Sequence, residues 1–146
     1  MKHLILIAAV IVTTFSCNVR KNDKVVDDSV KQMELALKDS TTVELIDRVH
    51  NFGTIKEGEK VEYNFKFKNS GKKPLVITNA SASCGCTVPE RPEKPIMPGE
   101  IGIIKVVFNS KGKSGHQDKS IIVSSNAQPA FPDLMLSGEV TGSTTN

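Results

Sequence analysis

At 146 residues the chain has room for one ordinary domain and not comfortably for two. Hydrophobic residues at 38% and charged residues at 24% place it among globular chains and exclude a disordered one. A formal charge of +3 is too small to argue for nucleic acid or for acidic lipid, and no nucleic-acid partner is expected.

The amino terminus comes first. Lys2 and His3 precede an apolar run, Leu4 to Val12, and Thr13-Thr14-Phe15-Ser16-Cys17 follows. A basic start, a short greasy stretch and a small residue before a cleavage point describe an export signal. A membrane-crossing helix needs about 20 apolar residues, and this run is shorter even if extended to Phe15. The segment resembles the lipobox of bacterial lipoproteins, with Thr14 where Leu is usual. That resemblance implies a signal peptide over residues 1–16 and a diacylated Cys17 as the new amino terminus. Several acyl chains hold a protein firmly to a membrane, so the expected location is the cell envelope, at the outer membrane or a periplasmic face.

Residues 17–42 carry the lipidated cysteine and then a polar segment of mixed charge, expected to act as a tether. Within it Asp28 or Ser29 can cap a short helix near residues 29–38. Val30, Met33 and Leu37 would share a face there, and Glu34 stands four residues before Lys38.

From Val43 the pattern changes to period two. Val61, Tyr63, Phe65 and Phe67 alternate with Glu62, Asn64, Lys66 and Lys68, the mark of a half-buried antiparallel strand. Val43–Ile46 and Val49–Ile55 suggest strands before it, and Lys56-Glu57-Gly58-Glu59 supplies a turn. Asn69-Ser70-Gly71-Lys72 is a second turn, and Leu75–Ala82 reads as a strand with Leu75 and Ile77 on one face. Pro89, Pro92, Pro95 and Pro98 exclude a central strand across residues 89–98, because each lacks the N–H that a ladder requires. Ile101–Phe108 follows, with Ile104, Val106 and Phe108 inward. Asn109–Gly115 is a loop, Lys119–Ser124 a strand, and Leu134–Val140 the last strand with Leu134, Leu136 and Val140 on one face. About seven short strands separated by turns predict an all-β, antiparallel, immunoglobulin-like sandwich over residues 43–141, with 142–146 as a tail. A small closed barrel is the alternative.

Several landmarks then fall in a telling order: Phe52-Gly53-Thr54-Ile55, Gly58-Glu59, Phe65-Lys66-Phe67-Lys68-Asn69 with Gly71, and Pro74-Leu75-Val76-Ile77. Ser83-Cys84-Gly85-Cys86-Thr87, Pro98-Gly99-Glu100, Ser125-Asn126 and Leu136-Ser137-Gly138-Glu139-Val140 complete the series. Over about residues 48 to 141 this resembles the bacterial envelope domain of unknown function number 1573. The resemblance implies an immunoglobulin-like sandwich of the major-sperm-protein and hydin-like kind. It implies no activity.

With Cys17 committed to lipid, Cys84 and Cys86 are the remaining thiols. A disulfide suits an exported protein, although so small a ring closes almost no loop, and Gly85 would permit the backbone it needs. Reduced structural thiols are a second reading. A soft-metal site such as Cu(I) is a third, with His116 as a further candidate ligand; zinc would also need His50. No cofactor is expected. His116 near Asp118 could suggest a thiol hydrolase, but it is placed at a Gly-rich hairpin tip where solvation is the simpler account. Lys111, Lys113 and Lys119 around that hairpin, with Lys66 and Lys68 on another strand, are read chiefly as charges that discourage edge pairing. The expected function is a lipid-anchored, non-enzymatic binding or assembly module, with an envelope protein or glycan as partner. The alternative is thiol redox or soft-metal handling through Cys84 and Cys86.

Overall fold

The computed structural model describes Lys31 and residues 38–142; the short helix expected near 29–38 lies almost wholly outside them, as do the signal segment and residues 143–146. Among the described residues eight strands form: β1 (Val43–Leu45), β2 (Val49–Lys56), β3 (Lys60–Asn69), β4 (Ile77–Ala82), β5 (Thr87–Glu90), β6 (Ile101–Asn109), β7 (Gly115–Ser125) and β8 (Leu134–Thr141). They make two separate four-stranded sheets, ordered β1-β3-β6-β5 and β2-β8-β7-β4, so the chain is a sandwich and not a barrel.

Alternation builds the core as period two requires. Phe65 and Phe67 from β3 face Ile104, Val106 and Phe108 from β6, all fully buried. Ile121 and Val123 of β7 with Leu134, Leu136 and Val140 of β8 supply the facing layer. Two large rings need special room. Phe67 stands opposite Gly102 across β3 and β6, and a Cβ added at Gly102 would overlap its ring. In the second sheet Phe52 lies against Gly138 in the same manner. Each aromatic covers a backbone that carries no side chain of its own.

The structure departs from the expected pattern in four places. The pair β2 and β8 is parallel, whereas the other pairs are antiparallel. An eighth strand, β5, contains Pro89; it is an edge strand, paired only with β6, so the proline is tolerated. Cys86 O accepts from Asn109 N, which turns the bonding groups of Cys86 and Val88 toward β6 and those of Thr87 and Pro89 outward. Leu75, Val76 and Ile77 are all buried, and do not alternate. Leu75 bridges to Ile96 while Ile77 joins β7, so this segment is crossing between sheets with neighbours on both sides. Finally, residues 110–114 are no hairpin: they carry the chain from β6 in one sheet to β7 in the other.

Polar side chains fasten the two poles. At one, fully buried Asn69 donates through Nδ2 to Lys73 O at 2.7 Å and Ile96 O at 2.9 Å. Its Oδ1 accepts from Thr41 Oγ1 at 2.9 Å and Gly71 N at 3.1 Å. Its own carbonyl accepts from Gly99 N, where the backbone has φ +82 and favours glycine. Asn126 works beside it, donating to Asp39 O and Pro74 O and accepting from Val76 N. At the other pole buried Ser110 donates to Glu59 O and also reaches Lys56 O, and Glu57 Oε1 accepts from Gly112 N.

Asn69→Ala would strand the Lys73 carbonyl and the Thr41 hydroxyl and take one of two donors from Ile96 O, and is expected to cost at least about 2 kcal/mol of stability. Gly102→Ala is expected to cost about 1–3 kcal/mol by forcing Phe67 from its place. Urea unfolding of both variants checks this; midpoints unchanged from the parent would show that neither residue constrains the fold.

Candidate functional site

Reactive side chains stand together in the β4–β5 connection. There Cys84 and Cys86 are joined as a disulfide, with Cα atoms 5.4 Å apart. Thr87, the first residue of β5, is almost fully buried; its Oγ1 lies 3.7 Å from Cys84 Sγ and 4.0 Å from Cys86 Sγ. Thr87 N donates to Cys84 O, closing the turn around Gly85. Cys86 packs against the core, whereas a Cβ added at Gly85 would meet nothing within 4 Å. A shallow depression beside the pair is lined by Lys60, Gly85, Cys86, Val88, Val107 and Lys111.

Of the other residues singled out above, Cys17 lies outside the described residues. His116 is not at a hairpin tip: it belongs to β7, where Glu139 of β8 is its partner in register. Its Nε2 is 3.3 Å from an Asp118 oxygen and its Nδ1 3.6 Å from a Glu139 oxygen. The imidazole is therefore engaged by two carboxylates on the outer face. Among the described residues no group of three or more His, Cys, Asp and Glu side chains converges as metal ligands do. Sulfurs bonded to each other offer no thiolate to a soft ion.

The lysines also separate. Lys119 is half-buried, donates to Gln117 Oε1 at 3.0 Å and lies 5.6 Å from the Phe108 ring centroid, close enough for a cation–π contact. Lys66 and Lys68 do stand outside, on β3 opposite Ile103 and Ile101 of β6. Those two isoleucines are 44% and 59% exposed, and Val88 on β5 is 57% exposed opposite Val107. The outside of the first sheet thus carries two apolar patches, Ile101 with Ile103 and, nearer the disulfide, Val88 with half-buried Val107, separated by Lys105 in its ion pair with Glu62. Alternation read for its inward half does not show these side chains; the available signal was the adjacent apolar pairs Ile103-Ile104 and Val106-Val107 on either side of Lys105.

A second cluster went unnoticed as well. His50 of β2 stacks on Tyr63 of β3, ring centroids 3.6 Å apart and 9° from parallel, closing one side of the sandwich. Burial lowers the His50 pKa, with nearby Asp47 opposing the shift. Burial, the Asp47 charge and a hydrogen bond to Asp47 raise that of Tyr63.

The profile of the family described as protein of unknown function, DUF1573, matches residues 43–140. The chain belongs to that family. A crystal structure of a protein of unknown function from Porphyromonas gingivalis W83 is similar, with TM-score 0.60 and 16% identity over 69% of this chain; this chain spans 47% of that one. The ASH / PapD-like domain 7 of human CEP192 is similar at TM-score 0.54 and 15% identity, covering 71% of this chain and 88% of that one. The secreted serine protease VesC of Vibrio cholerae matches at TM-score 0.53 and 12% identity, over 77% of this chain but only 25% of the protease. At such identities these likenesses show the fold alone, an immunoglobulin-like sandwich. Comparison with curated proteins gives no match.

The His50 shift has a consequence for stability. With its native pKa below the ordinary 6.5, the unfolded chain takes up the proton first as pH falls. Stability contributed by neutral His50 is therefore fully present above pH 6.5 and declines as pH drops below it toward the native value. His50→Phe keeps a ring on Tyr63 and is expected to flatten the melting temperature between about pH 7 and 5. Parallel pH profiles for parent and variant would remove His50 from the acid sensitivity.

Proposed function

We propose that this chain is a lipid-anchored protein of the bacterial cell envelope whose sandwich is a non-enzymatic binding or assembly module. The observation that carries this reading is the exposure of Ile101, Ile103 and Val88, with half-buried Val107, on the outer face of one sheet. Apolar side chains aligned over two adjacent strands, with Lys66 and Lys68 beside them, suit a partner surface better than they suit water. The partner that fits is another envelope protein, contacting through apolar side chains flanked by carboxylates. A glycan fits less well, since sugars favour exposed aromatic platforms and Phe65, Phe67, Phe108 and Phe131 are all turned inward.

Addition of a partner strand at β5 is disfavoured. Of its outward groups, the Thr87 N–H is already bonded to Cys84 O and Pro89 has no N–H. Beside this edge, recognition falls to the sheet face. Support for the anchor comes from the lipobox-like Ser16-Cys17 and from the polar segment between it and Thr41. The described chain enters at the Asn69–Asn126 pole, where Asp39 O accepts from Asn126 and Thr41 Oγ1 donates to Asn69. A tethered domain would thus hold that pole toward the membrane.

Two measurements test the reading. Cys17→Ser is expected to move the protein from the membrane fraction to the soluble envelope fraction; membrane retention of the variant would contradict the anchor. A photocrosslinker at position 103 is expected to give a discrete protein adduct in cells, lost in Ile101→Glu, while one at Thr54 on the opposite sheet gives none. Equal adducts from both sheets would contradict the docking face.

A further inference from the structure

We infer that the Cys84–Cys86 disulfide is an exchangeable electron acceptor for protein dithiols, displayed at the pole of the sandwich opposite to the one where the chain enters. Four features carry this, and none of them depends on the docking face proposed above.

The bond has no restraining work to do. It spans a sequence separation of 2, so it removes almost no freedom from the unfolded chain. The pole it occupies is fastened independently: Ser110 holds the 56–59 turn, and Asn109 N holds Cys86 O. Opening the disulfide leaves every one of those bonds in place.

Access is asymmetric. Space is open around Gly85, while Cys86 sits against the core cluster. Both cysteines are half-buried, but of the two it is Cys86 that packs against the core cluster, so attack is assigned to Cys84 Sγ and Cys86 is the sulfur displaced. Displacement at sulfur is faster when the leaving thiolate is stabilised. Lys60 and Lys111 line the depression that Cys86 itself lines, and the Thr87 hydroxyl is placed to donate to either sulfur.

The position is distal. β6 runs from Ile101, beside the Asn69 hub, to Asn109, beside Cys86. At strand rise its nine residues separate the two poles by roughly 30 Å. With the tether attached at the first pole, the disulfide faces away from the attachment point.

The chemistry balances without another reagent. One thiolate of a protein dithiol attacks Cys84 Sγ, forming a mixed disulfide and breaking the Cys84–Cys86 bond, and Cys86 leaves as a thiolate and takes up a proton. The second thiolate of the same dithiol then attacks its own partner sulfur in the mixed disulfide. That step releases Cys84 as a thiol and leaves the dithiol oxidised to a disulfide. Two electrons and two protons pass to Cys84 and Cys86.

The test uses the purified full chain and dithiothreitol as the probe dithiol, with thiols counted by alkylation and mass spectrometry. The pair is expected to open fully at millimolar dithiothreitol near pH 7 without loss of the folded circular-dichroism spectrum. Lys60→Ala/Lys111→Ala, a surface change, is expected to slow opening by about 3–10-fold, and Thr87→Ser to retain the parent rate while Thr87→Val loses it. Cys86→Ser leaves Cys84 as a free thiol, which is expected to attack a symmetric peptide disulfide, release one peptide thiol and keep the other as a stable mixed disulfide, since no second cysteine is present to expel it. Resistance to dithiothreitol in the folded state would overturn the inference, as would unfolding on reduction, since the bond would then be structural. Rates indifferent to both lysines and to the hydroxyl would overturn the assignment of Cys86 as leaving group.

Discussion

The carboxamide of Asn69 is the constraint on which the rest of the sandwich depends. A two-sheet fold whose chain crosses repeatedly between layers must bring many loop carbonyls and amides together at its ends, away from any ladder. At the hub pole one side chain answers several of them at once: Nδ2 serves Lys73 O and Ile96 O, and Oδ1 serves Thr41 and Gly71 N. Buried amides carry this load because they donate and accept simultaneously and bear no charge to desolvate. Asn126 extends the same network to Asp39, Pro74 and Val76. The first strand, the 71–76 crossing and the turn before β6 are thereby indexed to one another.

That index explains why the outer faces are free to differ. The first sheet presents isoleucine, valine and lysine side chains; the second presents Ser124, Ser137 and Thr141, with His116 held between carboxylates, beside exposed Val49, Ile122 and Met135. Neither surface contributes to holding the layers together, because the inward residues and the polar poles already do so. Substitution on these faces alters contacts with other molecules while the layers stay in register.

Much of the architecture was legible in the residues because a half-buried strand writes its burial into alternation. Val61 to Phe67, Ile104 to Phe108 and Leu134 to Val140 each place inward the side chains that period two selects. Alternation is silent about which strands pair, so the parallel union of β2 with β8 did not show. It also fails where the chain changes layers, as at Val76, and in a strand as short as Thr87–Glu90 with a proline inside. Asn69 was legible as a turn residue and illegible as a hub, since a side chain's distant partners leave no local trace. The cysteine pair was visible by spacing, but not that Thr87, Lys60 and Lys111 surround it, because Lys60 and Lys111 come from elsewhere in the chain. His116 was misplaced for the same reason: its partner Glu139 lies on a strand more than twenty residues away.

The parallel seam between Val49–Lys56 and Leu134–Thr141 also sets the timetable of folding. β2 is an outer strand of its sheet and β8 is its only neighbour there, so the second element along the chain must wait for the last before it gains any ladder partner. A polypeptide delivered amino end first consequently cannot complete this layer while its final segment is still arriving. The first sheet and the β4–β7 pair need nothing from β8, so a chain cut short within β8 would keep those pairings and leave β2 without a ladder partner.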